Sequence, residues 1–355
     1  MSAHAFFDAL AIPILQAPML GSQDETMAIA VSRAGGLGSI AVSSSSGPEI
    51  EARIGGLKQK GLTFGANLFV LATARPSPAE IDQAFERLAP WHTRLGMAVP
   101  SAPNDYAPDF EAQFEALVRA APPLATFTFG LLGAEKVAAL HAAGSLVMGT
   151  ATTVAEARAW AAAGADAICA QGSEAGGHRG HFNAPVDDSL VGTFALVSTI
   201  RAAVDLPVVA AGGIMDGRGV AAALALGASA AQMGTAFLLS DESAISDPWK
   251  SAIAAAPDDP TRLTRAFTGR HARGIENRFM REMRPVENDV PAYPVQNRLT
   301  QPLRAAAARA GDAEMLSLWA GQAVKLTREG SAADLVKAWW EEARAVSKEL
   351  AGRTR

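Results

Sequence analysis

The feature that most constrains this chain is a unit that recurs through its first two-thirds. Each unit is a short β-rich run, a turn, and an Ala-rich helical pattern ending at a glycine. The β-rich runs fall at 14–17, 38–42, 64–70, 125–129, 146–150, 167–171, 208–211 and 230–234. Helical patterns between them include 26–34, 134–143, 154–163, 193–203 and 219–226. Gly35, Gly144, Gly164 and Gly227 follow four of these helices, where a residue of positive φ ends a helix and satisfies its last carbonyls. Strict alternation of strand and helix predicts a parallel sheet with buried strands. Eight units predict closure into a (β/α)8 TIM barrel, with its site at the C-terminal ends of the strands. An open doubly wound sheet is the alternative, but no GxGxxG follows the first strand.

Two regions break the repeat. Residues 71–123 carry Pro-rich loops and a helical pattern at 81–88; residues 241–355 are mostly helical, including 313–326 and 332–350. The expectation is a barrel over 1–240 with an inserted segment at 71–123, and a helical C-terminal subdomain over 241–355. Both added regions should cluster beside the barrel mouth. No stretch is rich enough in Ser, Pro or charge to read as a linker.

Composition narrows the function classes. Hydrophobic residues make up 49% and charged residues 19%, a balance that builds a large core. The formal net charge of -5 argues against a nucleic-acid surface, which carries a basic excess. Cys169 is the single cysteine, so an intrachain disulfide and a Cys-based metal site are excluded, and a buried core thiol in a reducing compartment fits it. Residues 219–240 are uncharged and long enough to span a bilayer, yet they contain Gln232 and Thr235 and are broken by Gly227. A buried helix, a turn and a buried strand explain them better. The N-terminus has no basic region followed by a sustained apolar run, so the chain reads as cytoplasmic and not membrane-bound. Its oligomeric state is left open.

Three stretches carry chemistry. AQGSEAGGHRG, residues 170–180, directly follows the sixth strand. Its glycines let the backbone approach a ligand and project His178 from that approach. Taken alone, a surface histidine in a flexible loop is also compatible. VVAAGGIMDGRG (208–219) and AQMGTA (231–236) follow the seventh and eighth strands, where barrels hold phosphate on backbone N–H groups. Gly212, Gly213 and Gly234 suit that role, and Thr235 adds a hydroxyl. Tight turns needing glycine for geometry alone are the plainer explanation. LQAPM (15–19) ends the first strand, because Pro18 cannot donate to a sheet. Asn67, near the end of the third strand, offers an amide to a pyrimidine-like edge.

Together with GANLFV, ARGIENRF, AYPVQNRLT and SLWAGQ, these stretches resemble the nitronate monooxygenases, formerly called 2-nitropropane dioxygenases, and among them the class I bacterial members. The matching segments span residues 14 to 322 in the family's order. The resemblance implies non-covalent FMN, with Ala17, Pro18 and Met19 beside the ring and Asn67, Gln171, Gly176 and Gly177 in contact. It implies a phosphate on Gly213, Gln232, Met233, Gly234 and Thr235. His178 matches the active-site histidine, which takes a proton from a neutral nitroalkane or orients an anionic nitronate. The implied reaction converts a small alkyl nitronate and O2 to a carbonyl compound and nitrite, with no metal. His181 reads as a solvated neighbour. Where the family carries histidine in FHFG, this chain has Thr128 in FTFG, so the pocket differs there. Tyr293 is the pocket tyrosine candidate, packing of the tail being its equal alternative. Glu174 lies in the motif without an assigned role. An FMN-dependent NAD(P)H:quinone or enoyl-thioester reductase is the nearest rival, and a flavin-binding protein without turnover is another.

Overall fold

A computed structural model describes residues 2–353. The parallel strands are β1 (Ile14–Gln16), β2 (Gly38–Ala41), β3 (Phe64–Phe69), β4 (Leu124–Thr128), β5 (Leu146–Ala151), β6 (Ala167–Gln171), β8 (Val208–Ala211) and β9 (Ala230–Met233); β7 (Gly177–His178) lies outside them. Their order is β1-β9-β8-β6-β5-β4-β3-β2. The ends meet where the Gln16 N–H donates to the Leu37 carbonyl at 2.9 Å and the Leu37 N–H to the Ile14 carbonyl at 3.0 Å. The sheet therefore closes as the expected (β/α)8 barrel, and the open doubly wound alternative is set aside.

Helix α1 (Ala3–Asp8) precedes the barrel, and α2 (Glu25–Arg33) and α3 (Gly47–Gln59) follow its first two strands. After β3 come α4 (Pro78–Arg94) and α5 (Phe110–Ala120), then α6 (Ala134–Ala142), α7 (Val154–Ala162), α8 (Thr193–Arg201) and α9 (Gly217–Ala225). Local chemistry sets their ends. Asp24, Thr153 and Asp216 accept from the first-turn amides of α2, α7 and α9, and Ser77 with Glu80 forms a capping box on α4. Gly35, Gly144, Gly164 and Gly227 take φ of 102°, 91°, 93° and 90°, as a left-handed helix stop requires. The uncharged run at 219–240 is most of α9, the Gly227 turn and β9, and no helix is long and apolar enough to cross a membrane among the described residues.

Period-two alternation sorts the strand residues. Phe64, Phe127, Ile168, Val208, Ala231 and Met233 pack with the surrounding helices. Leu15, Leu124, Met148, Cys169, Val209 and Ala230 join an inner cluster with Phe6 and Phe7, so α1 plugs the N-terminal end of the barrel. The inward parity then continues to the other end with Asn67, Thr128, Thr150, Gln171 and Gln232, all on the wall of one cavity.

The two regions outside the repeat are distributed differently from the expectation. Helix α5 packs against α3 in the outer ring, while Ile81, Leu88 and Trp91 of α4 enter a second core over the mouth. That core also takes Phe279 of α11 (Arg278–Met283) and Leu299 and Leu303 of α12 (Val295–Ala310); Ile253 joins it from α10 (Asp247–Ala254). The tail contains two strands as well, β10 (Thr261–Thr264) and β11 (Ala272–Ile275). The helical expectation for 313–326 is corrected: two 3-10 turns, Ala313–Met315 and Val324–Leu326, flank an extended stretch. The stretch is extended because it pairs with β11 and the loop after β6: the Ile275 N–H donates to the Leu318 carbonyl at 2.9 Å and the Gln322 N–H to the Glu174 carbonyl at 3.0 Å. Helix α13 (Ala332–Arg353) does not lie beside the mouth. It packs on α9 and α2 and completes the helical ring, with Trp339 fully buried. A Cβ on Gly217 would sit 2.4 Å from the Trp339 carbonyl, so glycine lets these two helices cross closely.

Candidate active site

The cavity at the C-terminal ends of the strands has a volume of about 460 Å³, within the range of small-ligand sites. Its wall includes every residue assigned from the sequence to catalysis, cofactor binding or the substrate pocket except Met233: Ala17, Pro18, Met19, Asn67, Thr128, Gln171, Gly176, Gly177, His178, Gly212, Gly213, Gln232, Gly234, Thr235 and Tyr293. Met233 has the opposite strand parity from Gln232 and is buried in the outer core, so its side chain does not reach the cavity.

One end of the cavity is built from backbone. Gly212 and Gly213 take φ of 115° and 73°. The peptide N–H groups of Gly213, Gly234 and Thr235 have no hydrogen-bond partner among the described residues. Gly321 donates to the Thr235 hydroxyl oxygen at 2.9 Å, leaving that hydroxyl's own hydrogen free. Gly176 packs so tightly on the 320–321 backbone that a Cβ would approach to 2.6 Å. Unpaired N–H groups beside glycines can hold an anion such as a phosphate. The structure also accounts for Glu174, whose carboxylate accepts from the Thr193 N–H at 2.9 Å and so caps α8. The loop carrying the glycine–histidine motif is thereby anchored to the outer ring.

His178 is held from several directions. Strand β7 pairs with β11, aligning His178 with Ala272. The Gln171 amide donates to the His178 carbonyl at 3.0 Å and accepts from the Gly180 N–H at 2.8 Å. Arg179, fully buried, ties the same loop to the carbonyls of Gly172, Gln171 and Ser189. The imidazole Nε2 lies 2.9 Å from the Thr268 hydroxyl, which itself donates to the Arg270 carbonyl at 3.1 Å. Thr268 therefore accepts from Nε2–H, and Nδ1 is the ring's free lone pair. Phe129 stands beside it with φ of 81°, a strained conformation for a side-chain-bearing residue, its ring 5.4 Å from both His178 and Tyr293 and 4.2 Å from the Arg270 guanidinium. Thr128 bonds to Thr150 at 3.3 Å and to Asn67 at 3.3 Å.

Burial, reinforced by the Arg270 and Arg304 guanidiniums, pulls the His178 pKa down to about 3. Burial pushes the Tyr293 phenol up to about 12. It lowers Arg270 and Arg304 to about 10, still charged at neutral pH. The mouth is thus electropositive, with a neutral imidazole that feels two cations. His181 is half-buried rather than solvated, its Nδ1 buried and unpaired, and burial with Arg270 takes it to about 4. Phe129, Thr268, Arg270, Arg304 and Trp319 went unnoticed in the sequence. Phe129 lay in the quoted FTFG and Trp319 in SLWAGQ; the other three lay in no quoted motif.

The two imidazoles make stability depend on pH. Their folded values of about 3 and about 4 lie below the ordinary 6.5, so the unfolded chain binds more protons as pH falls. Their contribution is fully present above pH 6.5 and is lost as pH drops toward 3. The melting temperature should decline through this window, and less so in a His178→Asn, His181→Asn double variant. An identical decline in that variant would assign the acid sensitivity to other groups.

A sequence profile described as nitronate monooxygenase matches residues 5–342. A Staphylococcus aureus protein named "probable nitronate monooxygenase" is 42% identical over 316 residues, covering 88% of this chain and 89% of its own. The solved structure of a nitroalkane oxidase from Streptomyces ansochromogenes superposes with a TM-score of 0.89 at 42% identity, covering 98% of this chain and 99% of that one. FabK from Thermotoga maritima is less similar, with a TM-score of 0.76 at 30% identity over 98% of both chains. By profile, sequence and structure, this chain belongs to the nitronate monooxygenase family of oxidoreductases.

Proposed function

We propose that this protein binds FMN in the barrel cavity and oxidises small alkyl nitronates with O2 to a carbonyl compound and nitrite. The observation that carries the reading is one cavity with two contrasting ends: unpaired backbone N–H groups at Gly213, Gly234 and Thr235, and His178 within the field of the Arg270 and Arg304 guanidiniums. The first end fits a phosphate monoester. Ala17, Pro18 and Met19 would flank the ring, with Gly176 and Gly177 close to it. The Asn67 amide nitrogen is used on Thr126 and Thr128, so its carbonyl oxygen is the group left to accept from a pyrimidine N–H. When bound, FMN supplies the electron-accepting and oxygen-reactive chemistry.

The protein's own residues supply position, charge and a proton acceptor. The two guanidiniums favour an anionic substrate over a neutral one. The Nδ1 lone pair of His178 faces a substrate as a base, and Thr268 maintains that tautomer. Protonation of His178 is unfavourable before a substrate binds. It becomes less so when the proton comes from a nitroalkane carbon, because the nitronate formed offsets the two cations. The buried, reduced Cys169 suits the cytoplasm.

The test is an anaerobic stopped-flow comparison of ethyl nitronate and NADH as reductants of the purified yellow protein, with nitrite measured on admitting air. Released cofactor should chromatograph as FMN. Rapid bleaching by NADH with no nitrite from any nitronate would replace this reading with the reductase; neither reagent reacting would leave flavin binding without turnover.

A further inference from the structure

Arg304 sits in the cavity wall in an arrangement the fold alone does not require. It comes from α12, where Asn297, Gln301 and Arg304 recur at helical spacing along the face turned to the cavity, just after Tyr293. A guanidinium has five N–H donors. Here three bonds are made, all to uncharged acceptors: the Asn297 carbonyl at 2.9 Å, Asn297 Oδ1 at 2.8 Å and Ser317 Oγ at 3.4 Å. Nε is buried with no partner, and Arg304 forms no ion pair among the described residues. Desolvating a cation costs several kcal/mol, and a well-packed apolar residue would avoid that cost. Arg270 differs, because its guanidinium donates to the carbonyls of Arg179 and His181 and stacks on Phe129. The groups around Arg304 are also donors. Neither the Tyr293 hydroxyl nor the Asn297 amide nitrogen has a hydrogen-bond partner among the described residues.

We propose that Arg304, with the Tyr293 hydroxyl and the Asn297 amide, forms the seat for the substrate's anionic nitro group and so selects nitronates over neutral nitroalkanes. The inference rests on the nitronate reading above and adds a division of labour to it. His178 Nδ1 is a lone pair and cannot donate to an anion while neutral, so the negative charge must be met elsewhere. Arg304 is the cation with unused donors. It acts on binding of the anion, and His178 on removal of a proton.

The experiment uses the full-length, flavin-loaded protein with Arg304→Met and Arg304→Lys. Steady-state kinetics with ethyl nitronate and with nitroethane are paired with calorimetric titration of nitrate, a planar anion that undergoes no oxidation here. Loss of a charged hydrogen-bonding partner should raise KM for ethyl nitronate, and weaken nitrate binding, by about ten- to a hundred-fold in Arg304→Met. Lysine should recover part of this, and KM for nitroethane should change little. Melting should not fall, since removing an unpaired buried charge is neutral or stabilising. Unchanged KM for ethyl nitronate would overturn the assignment. So would a lower melting temperature with equal losses on both substrates, which marks a structural residue. An effect confined to a carboxylate-bearing nitronate would overturn it too, moving the anion seat to that second group. Should the wild-type protein yield no nitrite from any nitronate, the oxidation reading fails, while the nitrate titration still decides the anion seat.

Discussion

Replacing His178 with Asn should lower kcat/KM for nitroethane by about 10²- to 10⁴-fold, the usual contribution of a general base. The reason is the hydrogen-bond direction at the ring. The Thr268 hydroxyl donates its hydrogen bond to the Arg270 carbonyl and its oxygen therefore accepts from Nε2–H of His178, leaving Nδ1 as the basic atom. An Asn amide can keep a donor toward Thr268, but its carbonyl oxygen is no base at accessible pH. Flavin content should be retained, because His178 is remote in role from the unpaired N–H groups near Gly213 and Gly234. Ethyl nitronate has already lost its proton and should suffer much less. With the free His178 near 3, the wild-type kcat/KM for nitroethane should stay flat as pH falls from neutral toward about 4. Equal and near-wild-type rates on both substrate forms in His178→Asn would remove the base from the mechanism.

Gly213→Asp should expel the flavin. Gly213 has φ of 73°, its N–H is unpaired, and a Cβ there would sit 3.2 Å from Glu174 Cβ. The new carboxylate would face both the Glu174 side chain and the place the phosphate is proposed to take. Like-charge contact at a binding site costs several kcal/mol, corresponding to about a 10³-fold loss of affinity. Gly213→Ala adds the same Cβ without the charge and separates crowding from repulsion. The ratio of flavin to protein absorbance after gel filtration reads the result. Stoichiometric flavin in Gly213→Asp would move the phosphate away from this turn.

The barrel was legible because its signals are local. A buried parallel strand is a short apolar run, and the helices after it carry their own caps and glycine stops. Each such feature needs only a few neighbouring residues, so eight units could be counted before any contact was known. The glycine–histidine loop was legible for the same reason, as was the pair of glycine turns after the last two barrel strands. Met233 is instructive in the other direction. Strand parity alone separates it from Gln232, since adjacent side chains point to opposite faces, and that reading was available in AQMGTA.

The sequence by itself therefore determined the architecture, the backbone-lined end of the cavity and the position of His178. Tertiary structure decided what surrounds that histidine. Thr268 and Arg270 lie about ninety residues beyond it, and they arrive only because β11 pairs with β7. Arg304 arrives because α12 shares a core with α4, two segments separated by two hundred residues of chain. The last helix, α13, reads as part of a tail, yet it closes the ring because α9 and α2 leave a face that Trp339 and Val336 bury. In each case the deciding interaction is a long-range pairing or burial. Its energy depends on a partner that local periodicity, capping and turn chemistry do not encode.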